Sequence, residues 1–285
     1  MMALIEGILV AAIWASSFVF VKMGLMYMGP LTMAGLRYTL AALLLTPWLV
    51  RKRAEIASLP RLMWLRMALL GLCAFTISNG AFNTGLKFIS PTTMTFLMSF
   101  SPLLVYLAAL VWLKEIPSLR QKIGLVITLA GSALFFSGGL DTGTATGLVI
   151  GLVGVAAFSA FGVMSREVAR QGQVSTLLLT GLPLVFGGAS LLAIGLPVEG
   201  LPHMTPAAWG LVAWLAAVNT TVGLLLYNHA LKKLTALEMN VLLNLEPLIT
   251  ALWAWLLLGD KLSVIEGIGM LVAVTGVVLV QQGRK

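Results

Sequence analysis

Apolar stretches of about 20 residues follow one another along nearly the whole chain, and each is long enough to cross a bilayer as a helix. Only helices and closed barrels span membranes, because a backbone in lipid must satisfy its own hydrogen bonds. Charged residues make up 10% of the 285 residues, whereas soluble domains carry about 25%. The pattern predicts an all-α integral membrane protein with ten transmembrane helices, at residues 3–21, 32–50, 63–86, 91–113, 122–138, 146–165, 174–196, 207–230, 236–258 and 264–281.

The second half of the chain repeats the first about 145 positions later. The matched positions are Ser101-Pro102, Glu115, Ser118, Gly124 and Gly131 in the first half and Glu246-Pro247, Asp260, Ser263, Gly269 and Gly276 in the second. Within each half the matched glycines lie seven residues apart, a spacing that favours close packing between membrane helices. The register predicts two five-helix repeats, residues 1–140 and residues 141–285.

The distribution of charge predicts the orientation of these helices. With ten spans both termini lie on one side of the membrane, and that side carries fourteen Lys and Arg residues against three on the other. Basic residues concentrate on the cytoplasmic side, so both termini are predicted to be cytoplasmic, in a bacterial inner membrane. Five spans per repeat is an odd number, so equivalent helices cross in opposite directions. Such inverted repeats around a central cavity are typical of proteins that work by alternating access.

Several other classes of protein are disfavoured. The net charge of +8 is explained by the topology and predicts no nucleic-acid partner. The sequence has no phosphate-binding loop, no metal-ligand spacing and no serine elbow, so it predicts no ATP motor, metal, cofactor or enzyme. The first apolar stretch lacks a basic n-region, which favours a transmembrane helix over a signal peptide. The single cysteine, Cys73, permits no intramolecular disulfide.

Two prolines lie near the middle of predicted spans 4 and 9. Pro102 and Pro247 each remove a backbone hydrogen bond and free the carbonyl group four positions earlier, at Met98 and Leu243. Broken helices of this kind act as hinges or gates in transporters. A static kink satisfied by neighbouring helices is the alternative.

Two charged residues fall inside predicted spans. Glu246 lies near the midplane, where a carboxylate costs at least about 2.5 kcal/mol, so it should face the interior or be paired. Arg37, in span 2, is its candidate partner. One interpretation is a proton-coupling site or a contact for a substrate ammonium group. The other is structural, either a Glu246–Arg37 tether or a protonated carboxyl, and the sequence leaves both open.

Aromatic and small polar residues recur in the predicted spans and are candidates for substrate contacts. They are Trp14, Ser17, Phe18, Asn79, Phe96, Ser99, Phe100, Phe158, Phe161, Asn219, Tyr227 and Asn244. Aromatic walls with few polar groups suit a flat apolar ligand. For any one of them, packing in the core or against lipid is the alternative. On a regular helix Asn244 and Glu246 point about 200° apart, so they share a cavity only if the helix is distorted at Pro247.

The chain resembles the drug/metabolite transporter superfamily, specifically exporters built from two EamA-type domains. The resemblance rests on the segments 7–14 and 151–158 that open the two halves, on Arg37, and on the pattern of proline, acid and spaced glycines in both halves. Asp260 replaces the usual glutamate of the second half. The resemblance implies a ten-helix basket with a central cavity formed mainly by helices 1, 3, 4, 6, 8 and 9. Within the superfamily, the chain looks most like YddG-type exporters of aromatic amino acids.

These observations predict a secondary active exporter of small metabolites, in particular of aromatic or hydrophobic amino acids. The small-molecule substrate and the lipid bilayer are the predicted partners, and a monomer is expected because two fused halves close one cavity. An exporter of cationic amines or lipophilic drugs is the first alternative. A membrane-embedded enzyme and a channel are less favoured, since no catalytic cluster is visible and an inverted repeat suits a carrier.

Overall fold

The computed structural model describes residues 2–89, 91–138, 143–249 and 263–283. Throughout these residues the secondary structure is helical, without strands. Seven helical segments of the described residues have the length and apolar composition to cross a membrane, and one of them, Thr93–Leu113, is interrupted between Met98 and Ser101. The prediction of an all-helical, multi-pass membrane protein is confirmed at this level.

The helices are numbered here in chain order. They are α1 (Met2–Gly24), α2 (Pro30–Arg51), α3 (Arg53–Ala57), α4 (Arg61–Gly85), α5 (Pro91–Met98), α6 (Ser101–Ala108), α7 (Leu119–Phe135), α8 (Ala145–Gln171), α9 (Thr176–Glu199), α10 (Pro206–Ala230), α11 (Ala236–Leu243) and α12 (Val264–Gln282). Two of them contain π-helical segments, Leu72–Asn79 in α4 and Leu215–Val222 in α10.

The seven spans correspond to predicted spans 2, 3, 4, 6, 7, 8 and 10. Predicted span 1 corresponds to α1, a helix of 23 residues. Predicted span 5 corresponds to α7, which is 17 residues long and is followed by a 3-10 turn. Predicted span 9 begins with α11, is helical again over 245–249, and then leaves the described residues. The total of ten spans therefore stays a prediction.

Matched serines begin two of the helices. Ser118 caps the N-terminus of α7 in a capping box with Gln121, and Ser263 caps α12 in a capping box with Glu266. In this motif the serine and the glutamine or glutamate side chains satisfy backbone N–H groups that the helix leaves free. The repeat seen in the sequence thus places equivalent helix starts at equivalent positions.

Helices α2 and α9 are joined at both ends by carboxylates. The Glu199 carboxylate accepts hydrogen bonds from the backbone N–H groups of Leu31 (3.1 Å) and Thr32 (2.8 Å), at the start of α2. Glu55, just beyond α2, accepts one from the Ser175 N–H at the start of α9 (2.8 Å). Each carboxylate meets the positive end of a helix dipole. The start of each helix meets the end of the other, so α2 and α9 are antiparallel.

Helices α7 and α12 pack closely and are also antiparallel. A Cβ atom at Gly124 would lie 2.8 Å from the Gly276 carbonyl oxygen, and one at Gly131 would lie 2.9 Å from the Ala273 Cβ. Glycine is therefore needed for this backbone approach. Helix α8 lies at the centre of the bundle, where it contacts α4, α5, α6, α10 and α11.

Candidate functional site

A cavity lies between α1, α2, α4, α8 and α10. Eight of the predicted site residues line this cavity, namely Trp14, Ser17, Arg37, Asn79, Phe158, Phe161, Asn219 and Glu246. Helix α2 contributes Arg37 and Tyr38 to the wall, although the resemblance implied a cavity formed mainly by other helices. The structure thus brings aromatic, amide and charged candidates to one place.

Aromatic rings in contact with one another form one wall of this cavity. The ring centroids of Trp14 and Phe158 lie 6.2 Å apart, edge to face, and those of Phe158 and Phe161 lie 6.1 Å apart. Tyr227 lies behind them, fully buried, with its centroid 5.4 Å from Trp14 and 5.6 Å from Phe161. Tyr227 therefore supports the wall and does not line the cavity itself.

The sequence analysis missed part of the aromatic lining. Phe75 and Phe82 on α4 line the cavity, as does Tyr38, whose centroid lies 4.6 Å from that of Phe75. The spacing of Phe75, Asn79, Phe82 and Leu86 follows one face of a helix, and all four line the cavity. This periodicity around the one predicted member, Asn79, is the signal that could have found them.

Trp14 is fixed by hydrogen bonds between α1 and the π-helical segment of α10. Its indole N–H donates to the backbone carbonyl oxygen of Asn219 at 2.9 Å. The side-chain amide of Asn219 donates in return to the backbone carbonyl oxygen of Ile13 at 2.6 Å and to Ser16 Oγ at 2.9 Å. A Cβ atom at position 223 would lie 2.5 Å from the Trp14 indole nitrogen, so Gly223 leaves room for the ring. Asn219 therefore serves first as a clamp that orients the tryptophan.

Arg37 is buried in the cavity wall, with 8% of its surface exposed. Its guanidinium donates through Nε to Thr220 Oγ1 at 2.6 Å and through Nη1 to Ser17 Oγ at 2.9 Å. It also lies 5.2 Å from the centroid of the Tyr38 ring. Among the described residues no ion pair joins Arg37 to Glu246, so the predicted tether between them is not observed.

Helix breaks occur near Pro102 and Pro247, the two predicted hinges, and the two breaks are in contact. Helix α5 ends at Met98 and α6 begins at Ser101, with Pro102 in its first turn, where a missing N–H costs little. The equivalent helix is interrupted at Asn244, three residues before Pro247. The Asn244 side-chain amide donates to the Ser99 carbonyl oxygen at 3.1 Å.

A second, smaller cavity lies at these breaks. It is lined by the predicted residues Ser99, Phe158, Asn244, Glu246 and Pro247, and it shares Met98, Phe158 and Glu246 with the larger cavity. Asn244 and Glu246 thus face one cavity, which the interruption at Asn244 makes possible.

A polar network borders the second cavity and was not predicted as a site. Ser101 Oγ donates to Asn240 Oδ1 at 3.1 Å and lies 3.0 Å from Ser159 Oγ. Ser101 is the repeat partner of Glu246, which is the signal that could have drawn attention to it. The network joins α6, α8 and α11 beside the breaks.

Other candidates lie away from both cavities. Phe96 packs edge to face on Phe100 (5.1 Å) and on Phe136 (5.2 Å), in a separate aromatic cluster. Pro102 is buried and lines neither cavity. The side chain of Phe18 lies outside the described residues.

Comparison with known proteins decides the family. The pattern of the EamA-like transporter family matches residues 1–137 and 145–281. The chain belongs to the EamA-like transporter family. A small-molecule substrate and a multi-pass location in the membrane follow from this membership.

Individual relatives of this EamA protein are also described as transporters. It is 30% identical to the S-adenosylmethionine/S-adenosylhomocysteine transporter of Chlamydia muridarum, over 91% of this chain and 85% of the relative. It is 26% identical to the uncharacterized transporter YyaM of Bacillus subtilis, over 88% and 84%, and 27% identical to the uncharacterized inner membrane transporter YedA of Escherichia coli K12, over 95% and 88%. A solved crystal structure matches with a TM-score of 0.78 over 97% of this chain and 95% of that chain, at 17% identity, and so shows the same fold.

In this EamA protein the residues of α1 that line the cavity come from the C-terminal half of that helix. Near the N-terminus of α1, Glu6 is buried and its carboxylate oxygens lie 2.8 and 3.0 Å from His229 Nδ1, at the end of α10. At the same end of α10, Arg166 donates to Glu115 at 2.9 Å and to the Leu231 carbonyl at 2.7 Å. These contacts join the helices at the end of the bundle that holds the N-terminus of α1.

Proposed function

We propose that the protein is a secondary active exporter of small metabolites that carry an amino-acid head and a flat apolar side chain, above all aromatic amino acids. The cavity is the observation that supports this most. The aromatic wall of Trp14, Phe158 and Phe161 lines one space with the ionisable side chains of Arg37 and Glu246. Such a wall receives a flat ring, while a few polar groups fix the orientation of a ligand.

One relative supports the same chemistry. S-adenosylmethionine and S-adenosylhomocysteine, after which the Chlamydia muridarum transporter is named, each combine an α-amino acid head with a flat purine ring. An aromatic amino acid has the same two parts in a smaller molecule. The proposed substrate class is therefore defined by this combination of parts.

The proposed architecture is ten transmembrane helices in two inverted five-helix repeats, residues 1–140 and 141–285. It is supported by the antiparallel packing of the equivalent helices α2 and α9, and of α7 and α12. Antiparallel packing is expected when equivalent helices cross a membrane in opposite directions. Both termini are proposed to be cytoplasmic, and the protein to act as a monomer.

Transport by alternating access is proposed within this architecture. With cytoplasmic termini, the part of α1 that lines the cavity lies toward the outside, and the Glu6–His229 contact is proposed to close the inner end. Rocking about the helix breaks that precede Pro102 and Pro247 would open the inner end and close the outer one.

Counterflow tests this function. Proteoliposomes loaded with unlabelled phenylalanine should accumulate radiolabelled phenylalanine with saturation kinetics, and tryptophan and tyrosine should compete while polyamines should not. The amino-acid assignment would be contradicted if no exchange occurred even under an imposed proton gradient. The protein used must first elute as a single, non-aggregated species in size-exclusion chromatography.

An exporter of cationic or lipophilic amines is the second candidate, because Glu246 lines both cavities and is buried. In that case Glu246→Gln should abolish the flux of cationic amines and spare neutral substrates. Glu266→Gln is the matched control, since glutamine can replace glutamate in the capping box of α12.

A further inference from the structure

We infer that Arg37 binds the carboxylate of the substrate, so that the cavity selects free carboxylates over their amides and over amines that lack the group. The inference rests on the proposed function and adds to it the chemical feature that the site recognises.

The guanidinium of Arg37 is held in place but retains hydrogen-bonding capacity. Ser17 on α1 and Thr220 on α10 each accept one of its N–H groups. A guanidinium carries five N–H groups. In the described part of the chain, three of them have no other acceptor, and the side chain borders the cavity. A carboxylate entering the cavity can accept two of these in parallel.

The charge of Arg37 points to an anionic ligand group. Both of its hydrogen-bonded partners are neutral hydroxyl groups, and the side chain is more than nine-tenths buried. A cation inside a membrane protein is costly unless it is paired or reaches water. A substrate carboxylate supplies the opposite charge without any rearrangement of Ser17 or Thr220. Arginine is also the residue whose planar fork matches a carboxylate.

The position of Arg37 fits a ligand that also contacts the aromatic wall. Ser17 lies three residues after Trp14, so the two side chains share a face of α1. The group that holds the guanidinium therefore adjoins the group that begins the wall. Glu246 lines the same cavity, so a bound ammonium group would face a carboxyl group there. A zwitterion with a flat side chain meets all three features at once.

The wild-type protein alone provides the first test. In the counterflow assay, phenylalaninamide and phenethylamine should compete with labelled phenylalanine at least about tenfold more weakly than phenylalanine itself, because charge-assisted hydrogen bonds are lost. Competition by 3-phenylpropanoate should remain measurable, since it keeps the carboxylate. Equal competition by phenylalanine and its amide overturns the inference while leaving the proposed function in place. Absence of exchange by any amino acid overturns both.

Variants then assign the selectivity to Arg37. Arg37→Gln should bring the ratio of acid to amide competition close to one, and Arg37→Lys should give an intermediate ratio. The matched control, Arg61→Gln, changes an exposed arginine at the start of α4 and should keep the wild-type ratio. A purely structural Arg37 would lower all exchange without changing this ratio, and that outcome overturns the inference. Should Arg37→Gln fail to fold, Ser17→Ala still loosens the guanidinium and should lower the ratio.

Discussion

At the scale of single residues, Trp14 combines two tasks, since its ring forms the cavity wall and its N–H ties α1 to α10. We expect Trp14→Ala to raise the KM for phenylalanine counterflow about tenfold, because both an aromatic contact and the orientation of the wall are lost. Trp14→Phe keeps a ring without the N–H and should raise KM less. Trp209→Ala, which changes a half-exposed tryptophan on α10, should leave KM unchanged. An unaltered KM in Trp14→Ala would remove this residue from the site.

The residue scale also shows how far the sequence could specify the cavity. Arg37 and Asn79 were predicted because polar groups in an apolar span stand out, and both line the cavity. Phe75 was missed, because the helix face that it shares with Asn79 was not followed along the span. Phe96 was a candidate because it is aromatic, whereas it packs on Phe136 and lines neither cavity. Composition identifies unusual residues, but only the packing of helices decides which apolar residues share a space.

At the scale of elements, the broken helices are the parts whose flexibility transport requires. Pro102→Ala and Pro247→Ala each restore a backbone donor that can continue the helix. We expect either change to lower the maximal rate of counterflow several-fold with little change in KM, since the cavity lining stays while the bending is hindered. Pro47→Ala is the control, because Pro47 is exposed within the continuous helix α2. Equal rates in all three variants would count against a hinge at the breaks.

The carboxylate caps between α2 and α9 make a prediction about stability. Removing one, in Glu199→Ala or Glu55→Ala, should lower the free energy of unfolding by about 0.5–2 kcal/mol, as loss of a helix cap does. Thermal unfolding in detergent measures the difference. Glu266→Gln should unfold like the wild type, since its capping box persists. If both cap variants unfolded at the temperature of the wild type, these hydrogen bonds would contribute nothing to the free energy of unfolding.

The Glu55 cap should also depend on pH. Partial burial raises the pKa of the Glu55 carboxyl, but hydrogen bonds from Ser175 and Lys52 outweigh it, so this pKa is lowered from its ordinary value of 4.5. A lowered pKa in the folded state contributes stability above the ordinary value, and that contribution is lost as the pH falls through the folded pKa. The difference in unfolding temperature between the wild type and Glu55→Gln should therefore be full at pH 6 and shrink below about pH 4.5. A difference that is constant from pH 6 to pH 3 would contradict this.

The elements themselves were largely predictable from the sequence. A backbone in lipid forms either a helix or a closed barrel, and the length of about 20 apolar residues, which is that of a spanning helix, located the spans. The repeat matched Ser118 with Ser263, and both residues begin helices. The contact between Asn244 and Ser99 could not be predicted, because it joins two interruptions whose depth and rotation depend on the assembled bundle.

At the scale of the whole molecule, transport requires the end of the bundle below the cavity to open. Cys73 is the only cysteine in the sequence, so a Cys73→Ser background makes site-specific cross-linking possible. Glu6→Cys and His229→Cys place thiols at the two positions whose side chains meet at this end. We expect a short bis-methanethiosulfonate, which joins two cysteines through disulfide bonds, to stop phenylalanine counterflow in the double variant and a reductant, which cleaves these disulfides, to restore it. The single variants should keep their rates under the same treatment.

A measurement of substrate binding distinguishes a protein that is held in one conformation by the cross-link from a protein that is inactivated by it. The cavity lies away from Glu6 and His229, so the cross-linked protein should still bind labelled phenylalanine in detergent although it exchanges none across a membrane. Binding without exchange is the result expected of a carrier held in one of its two states, because only the passage between the states is blocked. A cross-linked protein that exchanges at the wild-type rate would show that the closed end does not move. In that case a fixed pathway through the bundle would have to replace alternating access.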